Sequence, residues 1–202
     1  MLDARADKAR LLELLQRTGE CDETFWRTAI EQGWTALAVP EAHGGLGLGL
    51  VEQGLVAQAA GAATAGAPFL TGNYGAICAL LASGDAALQS QWLPKLASGE
   101  AVAAIAFAEG AVLPEAPRTK LADGKLTGVK TGVTAALRAD FAIVWASLDD
   151  KPVLALADLA GVSRTAIESF DNGRLFADLS FSETPAKLLV EGDAAGGDDV
   201  VG

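Results

Sequence analysis

One histidine, two cysteines and a scatter of carboxylates are the residues in this 202-residue chain able to act chemically on a ligand. His43 is the sole histidine, so any histidine-activated nucleophile would have to use it. Beside a glycine turn it reads first as a hydrogen-bonded loop residue. Glu41 is displayed by the same loop, but no partner for a general base stands near it, and a capping or surface role comes first. Glu109 and Glu115 flank a proline-containing turn where they can line a pocket; their plainer reading is as solvated loop carboxylates. Cys21 and Cys78 lie far apart without metal-ligand spacing and read as free buried thiols in a reducing compartment. No metal site is expected. Trp26, Trp34, Trp92 and Trp145 sit within apolar patterns, which favours core over stacking platform.

The stretch from Ala38 to Gly49 could instead act through its backbone, as a phosphate cradle, a tight connector or a loop that displays a ligand-facing residue. A dinucleotide fingerprint requires a third glycine three residues after the second. From Gly45 and Gly47 that place is Leu50, and from Gly47 and Gly49 it is Glu52. The spacing fails, and no lysine follows to make a P-loop.

The elements that must position these residues divide at Gly99. Residues 4–18 carry Leu11, Leu12, Leu14 and Leu15 at helical spacing, with Gly19 as a stop. Asp22 is a good N-cap for a second helix holding Phe25, Trp26, Ala29 and Ile30. After the glycine loop, Leu50, Val51, Leu55, Val56, Ala59 and Ala60 mark one helical face, closed by Gly66 and Pro68. A fourth helix holds Ile77, Leu80 and Leu81; a fifth, capped by Asp85, holds Leu88, Trp92, Leu93 and Leu96. Beyond Gly99 the period shortens. Val102 to Phe107, the hairpin at Asp123-Gly124, Phe141 to Ser147, Pro152 to Ala157, Ser163 to Glu168, Leu175 to Phe181 and Pro185 to Val190 read as strands. The fold class is therefore α+β, with a helical domain over residues 1–99 and an antiparallel β domain over 100–202.

A formal charge of -11 argues against a nucleic-acid or anionic-membrane surface. No signal peptide or membrane span stands out, and a cytoplasmic protein is expected. The glycine- and aspartate-rich run from Gly192 to Gly202 offers no element to dock a terminus, so the natural chain is expected to continue.

Three stretches together carry a family resemblance. The run Gly33 to Gly47, with Pro40-Glu41 and then Gly44-Gly45 and Gly47, resembles the Pro-Glu and Gly-Gly turn of the acyl-CoA dehydrogenases. Gly84 to Gly99, containing Gln91-Trp92-Leu93-Pro94-Lys95-Leu96, is similar to that family's Leu-Pro-x-Leu helix, and Asp123 to Lys130 to its middle-domain hairpin. The resemblance covers essentially the whole chain. It implies a helical N-terminal domain, a β middle domain and a C-terminal helical bundle, the last absent from these residues.

It also implies FAD, an acyl-CoA substrate and oxidation between the α and β carbons, with a carboxylate base that lies in the bundle; no catalytic residue is therefore assigned to this chain. Cofactor contacts are implied at Phe107, Ala108, Glu109 and Thr134. Here the sequence departs from the pattern. Where members have Thr-Glu-Pro, this chain has Ala108-Glu109-Gly110, so only Glu109 matches; Pro114 replaces a serine near the substrate. Where members have Trp-Ile-Thr-Asn, it has Gly132-Val133-Thr134-Ala135. Thr134 is kept, while the aromatic wall at residue 132 is lost, worth roughly 1 kcal/mol of packing or more. The resemblance thus implies one subunit of a homo- or hetero-oligomer acting on a bulky acyl-CoA such as a steroid side chain, with electron-transfer flavoprotein or oxygen as acceptor. The alternative is an assembly or acyl-CoA-binding subunit that has lost FAD.

Overall fold

The computed structural model describes residues 8–17, 19–62, 68–111 and 115–191. Gly66, Pro114, residues 4–7 and the run 192–202, each given a reading above, lie outside them. The helices are α1 (Lys8–Leu15), α2 (Glu23–Glu31), α3 (Leu50–Ala62), α4 (Pro68–Ser83) and α5 (Ala86–Ala97). The strands are β1 (Ala103–Ala106), β2 (Lys120–Ala122), β3 (Lys125–Val133), β4 (Phe141–Leu148), β5 (Lys151–Asp158), β6 (Ser163–Ala166) and β7 (Ala177–Glu191). The expected order of helices followed by strands is what the chain adopts.

Two helix starts follow directly from local chemistry. Asp22 accepts from the Phe25 N–H, and Asp85 from the Ala87 and Leu88 N–H groups, so each carboxylate satisfies donors that the first turn leaves free. The inward faces then carry Phe25, Trp26 and Ala29 on α2, and Leu88, Trp92, Leu93 and Leu96 on α5. α3 departs from expectation. Leu50, Val51 and Leu55 lie exposed at 75%, 71% and 61%, while Gln53 and Ala60 are the buried residues of that helix. Periodicity marks an apolar face but does not say what lies opposite it.

The glycine loop is a connector folded back on itself. Its N–H groups at Gly45, Leu46, Gly47 and Leu48 donate to the carbonyls of Pro40, Ala36, Val39 and Leu37. Amides spent this way are not free to hold a phosphate, which agrees with the failed spacing. Gly45 is required sterically, because a Cβ there would fall 1.9 Å from the Val39 carbonyl oxygen.

Strand order closes a ring: β4 meets β2, then β3, β7 and β5, which returns to β4. One edge of β4 carries β1 along its first half and Lys120 of β2 at Ser147; its other edge pairs with β5 over eight residues. The sheet is therefore mixed rather than wholly antiparallel, since β1 and β2 both run parallel to β4. Two hairpin turns are of the primed kind, the expected one at Asp123-Gly124 and another at Asp149-Asp150. Asp123 and Gly124 have φ of 50° and 71°, Asp149 and Asp150 of 50° and 62°. The two last predicted strands are one. β7 runs unbroken from Ala177 to Glu191, with Glu183 at φ 50° beside a register shift against β3, and this bend lets it pair with β3 and β6 first and β5 afterwards.

The helices and the barrel share a single buried cluster. Trp92 of α5 packs its ring 4.3 Å from that of Phe141 on β4. The α4 contact with β1 is closer still: Asn73 is fully buried, its Oδ1 accepts from the Ala103 N–H at 2.8 Å, and a Cβ on Gly72 would meet the Ala103 carbonyl oxygen at 2.3 Å.

Candidate functional site

The residues that could hold a cofactor gather where the chain leaves β1 and runs beside β3. In β3, Leu126 and Lys130 are buried, four residues apart and so on the same face of the strand. Lys130 is the exception to the apolar rule for such positions. Its side chain is wholly removed from solvent and its ammonium donates to Glu109 Oε1 at 2.6 Å and to the Phe107 carbonyl at 3.2 Å. The ammonium also stands 5.7 Å from the centre of the Trp145 ring.

Glu109 is consequently neither solvated nor free. Besides Lys130, its carboxylate accepts the N–H groups of Thr119 at 2.8 Å and Arg118 at 2.7 Å, and the Arg118 guanidinium at 3.3 Å. Burial by itself would raise this carboxyl; the hydrogen bonds from Lys130, Thr119 and Arg118 together outweigh it and bring it down to about 2. Burial draws the Lys130 ammonium below the usual lysine range, against the opposing pull of Glu109. Glu115, its predicted companion, is exposed. The expectation of two solvated carboxylates therefore fails at Glu109, because a buried lysine lies within reach.

Hydrogen bonds fix the segment from Phe107 to Gly110 residue by residue. The Phe107 carbonyl is taken by Lys130, that of Ala108 by the Thr131 N–H at 2.9 Å, and that of Glu109 by the Arg118 guanidinium. The Gly110 N–H donates to Thr131 Oγ1 at 2.8 Å. Among the described residues the Ala108 N–H has no partner. Phe107 is 40% exposed, with its ring edge-on to that of Trp145 at 6.2 Å. Trp145 is thus half-buried against this cluster rather than in the core.

Further along β3 the strand bulges. Gly132 takes φ 60°, its N–H donates to Asp178 Oδ1 at 2.9 Å, and a Cβ built there would meet nothing within 4 Å. Thr134 is half-buried, and its hydroxyl has no partner among the described residues. Phe107 thus offers an exposed ring, and Ala108 and Thr134 offer an amide and a hydroxyl without a partner among the described residues. Groups of this chemistry could donate to the acceptor atoms of a flavin ring, whereas Gly132 offers no aromatic wall.

One cavity lies at this site and another away from it, beside the start of β1. The first, of about 190 Å³, is lined by Glu109, Arg118, Thr119, Gly128, Val129 and Thr131. A larger one of about 390 Å³, between α5 and the feet of β4 and β5, includes Trp92, Lys95, Arg138, Asp140 and Arg164 and none of the predicted site residues. His43 is half-buried in a short turn of 3-10 helix, Glu41–His43, within the connector. Neither cysteine is buried: Cys21 is half-exposed, and Cys78 exposed on α4.

Lys130 and Arg118 join the site without a motif to mark them, although the sequence carries one signal. A lysine in phase with Leu126 on an alternating strand points inward and needs a carboxylate. Which carboxylate answers it depends on a loop some 20 residues earlier, and no local pattern records that.

Residues 4–100 match the family described as acyl-CoA dehydrogenase, N-terminal domain. Acyl-CoA dehydrogenase FadE28 of Mycobacterium tuberculosis is 32% identical over 171 residues, covering 85% of this chain and 49% of that protein. The ChsE4-ChsE5 complex of Mycobacterium tuberculosis superposes with a TM-score of 0.81 at 27% identity, over 95% of this chain and 54% of the other. A steroid ACAD, Tcur3481-Tcur3483, does so with a TM-score of 0.79 at 28% identity, over 93% and 53%. The chain spans about half the length of these relatives.

Proposed function

The chain belongs to the acyl-CoA dehydrogenase family, and from that premise we propose that it is one subunit of an FAD-dependent enzyme that oxidises an acyl-CoA thioester between its α and β carbons. The observation that carries this reading is the segment from Phe107 to Glu109, whose carbonyls are all engaged while the Ala108 N–H has no partner among the described residues. Bound FAD would accept the hydride that leaves the β carbon. Phe107 would border the ring, the Ala108 N–H and the Thr134 hydroxyl would donate to its acceptor atoms, and Glu109 would contribute through its backbone, its carboxylate being committed to Lys130. The carboxylate that removes the α proton is assigned to no residue described here.

A bulky acyl group of the steroid side-chain type, within a heteromer, is the substrate class we favour. Its support is the likeness to a steroid ACAD and to a two-component complex at 27–28% identity. Electron-transfer flavoprotein is the proposed acceptor and the cytoplasm the proposed compartment. No helix among the described residues is long and apolar enough to cross a membrane.

A second reading has its own observation. Gly132 leaves open space where members of the family place a tryptophan, and Ala108 lacks the family's hydroxyl. Both suit an assembly or acyl-CoA-binding subunit without FAD. Co-production with another acyl-CoA dehydrogenase subunit, followed by measurement of flavin per complex and of acyl-CoA binding, separates the two. Flavin lost when Thr134→Val and Phe107→Ala are introduced into this chain supports the first; flavin unchanged by both assigns it to the partner.

A further inference from the structure

We propose that the buried Lys130–Glu109 pair is a positioning device: it holds the Phe107–Ala108 backbone so that this edge offers a hydrogen-bond donor and withholds its acceptors. The proposal rests on the flavin reading above and goes beyond it by assigning a role to two side chains that do not touch the ring.

The argument starts from an energetic oddity. Burying an ammonium and a carboxylate costs several kcal/mol of hydration, and well-packed apolar residues of similar volume often serve stability equally well or better. Stability alone therefore does not explain a lysine at an inward position of β3. What an apolar side chain cannot do is hold two acceptors at once. The Lys130 ammonium bridges the Phe107 carbonyl and the Glu109 carboxylate, which fixes the chain on both sides of Ala108.

Glu109 extends the hold to the far side. Its two oxygens take the N–H groups of Arg118 and Thr119, so the stretch leading into β2 is tied to the same point. Thr131, next to Lys130, takes the Ala108 carbonyl and the Gly110 N–H. All three carbonyls from Phe107 to Glu109 are then occupied by β3 or Arg118, and the Ala108 N–H remains unpartnered among the described residues. A donor edge with no competing carbonyl suits the electron-rich acceptor atoms of a flavin's pyrimidine ring, because a carbonyl facing them would repel.

The test uses the full chain co-produced with a dehydrogenase partner subunit, stripped of FAD and titrated with it by flavin fluorescence. Lys130→Met is expected to weaken FAD binding roughly tenfold or more, a loss of about 1.4 kcal/mol or more. It also strands a buried carboxylate and lowers stability, so the deciding variant is K130M/E109Q. Removing both charges is expected to restore most of the thermal stability while FAD binding stays weak and the bound flavin's visible spectrum stays shifted. FAD affinity recovering together with stability would overturn the proposal, leaving the pair a purely structural feature. Hydrogen exchange on the flavin-free complex gives the independent readout: amides from Phe107 to Gly110 are expected to exchange faster in both variants. Unchanged exchange overturns the positioning role even where flavin binds. A wild-type complex with no flavin on this chain, but with exchange that does respond, overturns the functional reading and the flavin role together, while showing that the pair still orders the segment.

Discussion

Lys130 Nζ lies 2.6 Å from Glu109 Oε1 with both side chains withdrawn from water, in a chain whose net charge is -11 and whose other carboxylates stand mostly at the surface. The pair ties β3 to the segment that follows β1. Its energetics are readable from outside, because a buried carboxylate held well below its ordinary value makes stability depend on pH.

Glu109 is brought from 4.5 to about 2 in the folded protein. A carboxyl depressed on folding contributes stability that is complete above the unfolded value and is lost as pH falls through the folded one. Urea denaturation between pH 7 and pH 2 is therefore expected to show a loss starting near pH 4.5 and approaching roughly 3 kcal/mol at about 1.4 kcal/mol per unit. Glu109→Gln should be less stable at neutral pH and show a flatter acid limb. Equal acid limbs would rule out Glu109 as the responsible group.

Three glycines separate steric need from helix propensity. Gly45→Ala and Gly72→Ala each push a methyl group into a backbone carbonyl, at 1.9 Å and 2.3 Å, and each is expected to cost about 1–3 kcal/mol. Gly54→Ala, inside α3 with nothing within 4 Å, is expected to stabilise by up to about 1 kcal/mol. Thermal melts of the three variants compare them directly.

Asn73 bridges α4 to the first strand, accepting from the Ala103 N–H and donating weakly to the Ala101 carbonyl at 3.5 Å. Asn73→Ala leaves the Ala103 amide buried without a partner, at an expected cost of about 1–3 kcal/mol. Hydrogen exchange should show the Ala103 amide opening more readily than those of β4.

The two thiols should react at very different rates. Burial, reinforced by a hydrogen bond to Glu23 and its charge, pushes the Cys21 thiol up to about 12, whereas Cys78 is exposed on α4. Alkylation near pH 8 is expected to label one thiol quickly and the other slowly, and Cys78→Ser to remove the fast phase. Two equal fast phases would contradict this placement.

Much of the architecture was legible because its signals are local. Asp22 and Asp85 announce helix starts with their own side chains, and Asp123-Gly124 announces a hairpin through the φ values such residues tolerate. In the sequence, residues 182–184 separate two strand-like runs, Leu175 to Phe181 and Pro185 to Val190, and a bend within one strand looks the same as a gap between two. The exposed leucines of α3 illustrate the converse, an apolar face with nothing described against it.

By itself the sequence determined the order of helices and strands, the caps and tight turns, the failure of the glycine loop as a dinucleotide cradle, and through three quoted stretches the family. Each depends on residues close together in the chain. Tertiary structure alone decided that Glu109 is a buried anchor rather than a solvated carboxylate, that Lys130 reaches both it and the Phe107 carbonyl, and that the sheet closes through parallel contacts of β1 and β2 with β4. The physical reason is the same in each case. A charge is tolerated inside only when its partner is brought there by chain closure over some twenty residues, and the energy of that meeting belongs to the fold rather than to either local segment.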